Sequence, residues 1–199
     1  MRRRLSAVVL ALAAMLVLAA PAFADTSPGP GNFRDSGSSE YAYASGAECG
    51  SSTCTETNVY SQTTKLRGGD TFSQICVDQY TYPLRGGNHV SGYSGCSDAA
   101  PVIADDLSSA SMNATILAES CGRRSCTTKE ISLSVSLDAI GGSNAYSYTQ
   151  KQGYENCTDT YRVRGDVADA EGTIVVNGTS LDAYGQIGAE SFAYSSRCR

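Results

Sequence analysis

Residues able to do chemistry are few in this chain, and most stand alone. Its single histidine, His89, lies in the glycine-rich stretch RGGNHVSGYSG between Arg85 and Gly95. A Ser-His-Asp relay would need His89 as the base and Ser94 as the nucleophile. Gly92-Tyr93-Ser94-Gly95 lacks the G-x-S-x-G spacing and strand-to-helix setting of a nucleophile elbow, so the stretch reads as a surface loop. Two carboxylates recur in one frame, Asp78 in Cys76-Val-Asp-Gln-Tyr80 and Asp159 in Cys157-Thr-Asp-Thr-Tyr161. They could form an acid/base pair only if the fold brought them together; otherwise each serves a tyrosine hydroxyl or a turn. Asp166, Asp169 and Glu171 miss the spacing of a calcium loop, and Arg164-Gly165-Asp166 is too short a motif to carry recognition. No H-E-x-x-H, P-loop or dinucleotide fingerprint is present. No catalytic residue, metal ligand or cofactor is therefore assigned, and the chain reads as non-enzymatic.

Recognition is better supplied than catalysis. The chain has 12 Tyr and no Trp. Tyr41/Tyr43, Tyr80/Tyr82 and Tyr146/Tyr148 stand two apart in strand-like text, and period 2 puts each pair on one face of its sheet. A tyrosine ring offers apolar area with a polar tip at low entropic cost, which suits sugars and protein surfaces. Tyr80, Tyr82, Tyr146 and Tyr148 are taken as the candidate ligand face. A second candidate is Gly122-Arg123-Arg124-Ser125, where Arg123 and Arg124 would sit at a rigid tip, as in a loop-type serine-protease inhibitor.

The elements that must position these residues are strands held by cysteines. Ile131 to Asp138 alternates aliphatic and polar without a break, the mark of a strand with one face buried. Ala110, Met112, Ala114, Ile116 and Ala118 alternate in the same way. Asn177-Gly178 between Thr173–Val176 and Thr179–Leu181 predicts a hairpin whose turn needs positive φ. No window has sustained helical period, although Pro101 to Ser109 has room for a short helical turn.

All eight cysteines follow residue 48, and an even count in an exported chain reads as a disulfide framework rather than zinc. Cys49/Cys54 and Cys121/Cys126 each enclose four residues, with a Gly after the first Cys and a Thr after the second. Each pair lies between two alternating segments, so each should close a hairpin tip across the ladder. The repeated C-x-D-x-Y frame and the Tyr-Ser before Cys96 and Cys198 then assign Cys76–Cys96 and Cys157–Cys198. The same order of features in both parts predicts an internal duplication, about 40–106 and 107–199.

Three arginines, an apolar run and Ala22-Phe23-Ala24 predict a signal peptide over 1–24, cleaved near Ala24. No stable membrane anchor would remain. Residues 25–39, rich in Pro, Gly, Ser and Asp, predict a flexible leader. Removing the first 24 of 199 residues takes away three of 15 bases, leaving 12 against 20 acids, a net charge of −8. Such a balance, with no basic run longer than Arg123-Arg124, argues against nucleic acid as a partner. The fold expected is a single all-β domain over 40–199, an antiparallel β-sandwich of two pseudo-repeated halves. The function expected is that of a secreted binding or interaction protein for an extracellular polymer, glycan or protein. The protease inhibitor is one alternative and a secreted enzyme with a carboxylate site is another.

Overall fold

The computed structural model describes residues 33–85, 91–121, 125–154 and 156–198, and these form strands and turns with no helix. Ten strands follow in chain order: β1 (Phe33–Cys49), β2 (Thr53–Leu66), β3 (Thr71–Pro83), β4 (Ser91–Ser97), β5 (Val102–Ile103), β6 (Ser109–Cys121), β7 (Cys126–Ala139), β8 (Asn144–Tyr154), β9 (Cys157–Val176) and β10 (Thr179–Cys198). All belong to one antiparallel sheet. Its pairing runs β10-β1-β2-β3-β4-β6-β7-β9, and β9 pairs with β10 again, so eight strands close into a ring. The two facing sheets expected from the sequence are thus replaced by one sheet that meets itself. Closure covers most strand edges over this part of the molecule, with β4 and β6 joined at the single pair Ser94–Glu119.

The ring is filled by side chains. Ile131, Leu133, Val135 and Leu137 of β7 are buried while the residues between them are exposed. Small residues face large ones across the ladder: Ala110 opposes Leu137, Ala114 opposes Leu133 and Ala168 opposes Ile187. Val59, Ile75, Val77, Met112, Ile116 and Ile174 complete the core. An eight-stranded barrel has an interior of about the volume that such side chains occupy. Gly172 and Gly185 belong to this inward face, and a Cβ at either would overlap a backbone carbonyl of the adjoining strand, Ser136 or Tyr43. Two strands approach there more closely than any side chain permits, which lets the wall bend.

β9 and β10 are 20 residues each and run well past the ring. β7 covers β9 from Ala170 to Val176, and β8 covers it from Cys157 to Val167. The far ends of β9 and β10, the start of β1 and the end of β2 therefore form, with β8, an open extension below the barrel. β1 begins at Phe33, so residues 33–39, expected in the leader, are strand. They pair with β10 on one side and, from Gly37, with β2 on the other. Two paired edges hold this weakly apolar stretch in place, Ser39 Oγ lies 3.3 Å from Thr64 Oγ1, and Phe192 packs over Gly37. Between Pro101 and Ser109 the chain makes β5 and a tight turn with Leu107 at φ 59°, not a helical turn.

The four expected disulfides are present: Cys49–Cys54, Cys76–Cys96, Cys121–Cys126 and Cys157–Cys198. Each joins directly opposed residues of neighbouring strands. The Asn177-Gly178 hairpin is also as expected, with φ of 50° and 84°. Asn177 Oδ1 accepts from the Ser132 amide, and the Asn177 amide donates to the Ser132 carbonyl, both at 2.9 Å. Among the described residues, no helix is long and apolar enough to cross a membrane.

Candidate functional site

Register places ten of the twelve tyrosines on the outward face of the sheet, from β8 across β9, β10, β1 and β2 to β3. Tyr93 points the other way, against the core, with the Lys129 ammonium 5.4 Å from its ring centre. The side chain of Tyr154 lies outside the described residues. The outward rings form a band with a closed end and an open end.

The closed end is on the extension. Tyr41, only 6% exposed, lies over Gly188, and Tyr146 lies against Gly165, where a Cβ would come within 3.0 Å of its ring. The two rings, from strands three places apart, reach each other because those glycines leave the intervening surface bare. Tyr146 donates its hydroxyl proton to Glu190 Oε2 at 2.8 Å, and the Tyr41 hydroxyl is 3.4 Å from that of Tyr146. Tyr148, Tyr161 and Phe192 continue as a ladder with ring centres 6.2 and 6.3 Å apart. Val163 and Phe192 are buried here, apart from the barrel core. This end of the band holds a second small core in which the Tyr41 and Tyr146 hydroxyls are engaged, while Tyr148 at its margin stays 49% exposed.

Its electrostatics follow from burial beside a carboxylate. Desolvation, with Glu190 close by, pushes the hydroxyls of Tyr60 and Tyr146 well above the usual phenol range and that of Tyr161 up to about 12. Tyr41 and Tyr148 are raised for the same reasons. The fold favours the neutral phenols, so this contribution to stability is complete below the unfolded phenol pKa of about 10. It is lost as pH rises from there toward the folded values. Absorbance titration at 295 nm should therefore show Tyr41, Tyr60, Tyr146 and Tyr161 ionising only with loss of far-ultraviolet structure. A single reversible step near pH 10, with the fold intact, would contradict this account.

The open end lies on β2 and β3. Tyr43 donates to Asn58 Oδ1 at 2.7 Å, and Asn58 Nδ2 donates to Glu56 Oε1 at 3.1 Å. Asp78 is opposite Asn58, and Tyr80 is opposite Glu56. Tyr80 is 42% exposed and rests beside Gly92 on β4, where a Cβ would be 3.0 Å from its ring. Its ring thus lies along the sheet, with Glu56, Asn58 and Asp78 around it. Burial raises the pKa of Asp78 above the ordinary carboxylate value. A flat ring ringed by oriented acceptors and an amide can hold the C–H face of a sugar and its hydroxyls.

The sequence-derived sites divide accordingly. Tyr80 and Tyr82 belong to the open end and Tyr146 and Tyr148 to the closed end, so the four share the outward face of the sheet but lie at separate places on it. On β3, the row of opposed residues through Tyr146 meets Phe72, eight positions from Tyr80. Asp78 and Asp159 are not brought together either. The row through Asp78 reaches β9 at Glu171, twelve positions beyond Asp159, about 40 Å of strand. Asp159 instead opposes Ser196, and Asp159 Oδ1 and Ser196 Oγ are both buried without a hydrogen-bond partner. Glu119 brings a carboxylate oxygen within 4.8 Å of the sulfurs of Cys121 and Cys126, but those sulfurs are bonded to each other and offer no thiolate. His89, Arg123 and Arg124 lie outside the described residues. Glu56, Asn58 and Glu190 carried no signal in the sequence, because what marks them is the neighbour across the ladder.

No family model, curated protein or solved structure matches the chain.

Proposed function

We propose that the protein is a secreted, non-catalytic binding module that holds a glycan chain against the open end of its tyrosine band. The observation that carries this reading is Tyr80. Its ring is laid along the sheet beside Gly92 and bordered by Glu56, Asn58 and Asp78, two of them tied into the Tyr43 network. The barrel interior is filled by its own side chains, which leaves the outer surface as the place for a ligand. Secretion, with signal cleavage near Ala24, is part of the proposal and is supported by four disulfides.

An internal duplication belongs to the same reading. Around the ring, the tied pair β1–β2 is followed by the tied pair β3–β4, and then β6–β7 is followed by β9–β10. The two C-x-D-x-Y strands, β3 and β9, take corresponding places in that series. Related halves closing on each other would give this order.

The test is retention of the oxidised protein on an insoluble neutral polysaccharide, with Tyr80→Ala and Tyr80→Phe alongside. Loss of the ring should weaken retention at least about tenfold, the scale of an interface residue worth over 1 kcal/mol. Phe should keep most of it, and the thermal midpoint should stay put because the ring is half exposed. Equal retention of Tyr80→Ala and the parent would remove this site.

A further inference from the structure

The extension has a second face, opposite the tyrosines, and its composition departs from the rest of this acidic molecule. Directly opposed residues lie on one side of a sheet, so its rows can be read from the register. One runs Lys65, Ser38, Ser191, Arg164, Ser147 from β2 to β8; the next, Ser36, Ala193, Arg162, Thr149; the next, Arg34, Ser195, Thr160, Lys151. Arg197 follows two positions below Ser195. Six of the 12 bases that follow residue 24 therefore share one face, drawn from five strands. All six are exposed, and none is held by an ion pair among the described residues. The remaining positions in these rows are Ser, Thr and one Ala, with neither an acid nor an aromatic ring.

Where this face meets the barrel, a groove of about 670 Å³ runs between β1, β10, β9 and β8. Arg164 stands in it beside the hydroxyls of Ser38, Ser147 and Ser191 and the carboxylates of Glu40 and Asp166. Arg162 and Arg164 are successive residues of one face, about 6.7 Å apart, with neighbouring strands about 4.8 Å away. The result is a grid of cations at saccharide-scale spacing, leading into a groove rich in hydroxyls and acceptors.

We propose that this face binds a linear anionic polysaccharide. The bases meet its carboxylate, sulfate or phosphate groups, while Glu40, Asp166 and the serines take its sugar hydroxyls. Charge complementarity alone would also admit nucleic acid or an anionic membrane, and the surface favours neither. Single-stranded nucleic acid needs rings on which bases stack, and among the described side chains every tyrosine of the extension lies on the other side. A membrane surface needs large apolar side chains to bury among the lipids, and these rows hold nothing apolar beyond Ala193. The six bases are scattered along the chain from Arg34 to Arg197, which is why no basic run marks them.

Binding would be measured on immobilised polygalacturonate, heparin and a phosphorylated mannan, with dextran, duplex DNA and anionic vesicles in parallel. The expected result is saturable binding to at least one of the three polyanionic glycopolymers, the strongest arm identifying the charged group. It should weaken at least about tenfold between about 50 and about 200 mM salt, since each contacted charge releases a counterion. Arg162→Ser combined with Arg164→Ser should weaken it at least about tenfold, with an unchanged thermal midpoint. Lys129→Ser, which removes a base from β7, should not. Binding of none of the three polymers, equal binding by the Arg162/Arg164 variant, or tighter binding to DNA or vesicles would overturn the proposal. Neutral-glycan retention through Tyr80 is a separate measurement, so either assignment can fail alone.

Discussion

Reduction of the oxidised protein with a phosphine at neutral pH should abolish its cooperative thermal transition and its near-ultraviolet dichroism. The reason lies in where the bridges sit. Cys157–Cys198 closes the long β9–β10 hairpin at the end remote from its Asn177-Gly178 turn, its partners 41 positions apart in the chain. Cys76–Cys96 spans 20 residues, and the two hairpin-tip bridges span five each. By loop-closure entropy the short loops contribute about 2 kcal/mol each, the middle one about 3 and the longest about 4. The whole net stability of a domain is about 5–15 kcal/mol. The same molecule has no large apolar side chain in the rows of Ser, Thr and basic residues on one face of its extension, so packing there rests on the opposite face alone. Differential scanning calorimetry with and without reductant checks this directly. Replacing Cys157 and Cys198 together by Ser should cost more than replacing Cys121 and Cys126. A reduced sample that melts cooperatively at the same temperature would show that packing alone holds the ring.

The second large effect is expected at a residue with no side chain. Gly185→Ala should destabilise the protein by more than about 3 kcal/mol, the scale of overpacking where the neighbour cannot yield. Its Cβ would fall on the Tyr43 carbonyl, part of the β1–β10 ladder itself. Relief would require separating two strands of the closed ring, not a change of rotamer. Gly172, which faces the Ser136 carbonyl, should behave alike. Gly142 has nothing within 4 Å of its Cβ position, so Gly142→Ala serves as the neutral comparison. Urea denaturation midpoints of the three variants give the answer. Equal midpoints for Gly185→Ala and Gly142→Ala would mean that the barrel wall relaxes more easily than its register implies.

These effects differ in how far the sequence announced them. Cys49–Cys54 and Cys121–Cys126 are local, since four residues between two alternating segments leave a hairpin as the natural solution. The other two bridges followed from a repeated frame. The hairpin at Asn177-Gly178 was legible because only a few residue types adopt its backbone. Period 2 in Ile131–Leu137 declared both the strand and its buried face.

Alternation records which side chains share a face of one strand; it does not record which strand lies alongside. Ring closure through β9–β10, the inclusion of Phe33–Ser39 in a central strand and the bend at Gly172 and Gly185 all depend on that missing information. So do the two surfaces proposed for binding. Tyr80 gains its setting from Glu56 and Gly92 on neighbouring strands, and Tyr146 loses its freedom to Glu190, 44 residues away. The basic face is the clearest case. Its arginines and lysines are isolated in a chain of net negative charge, and only the pairing of five strands gathers them. Composition and local period determined that the chain is an all-β, disulfide-tied protein; the long-range register of the closed sheet decided which of its residues can act together.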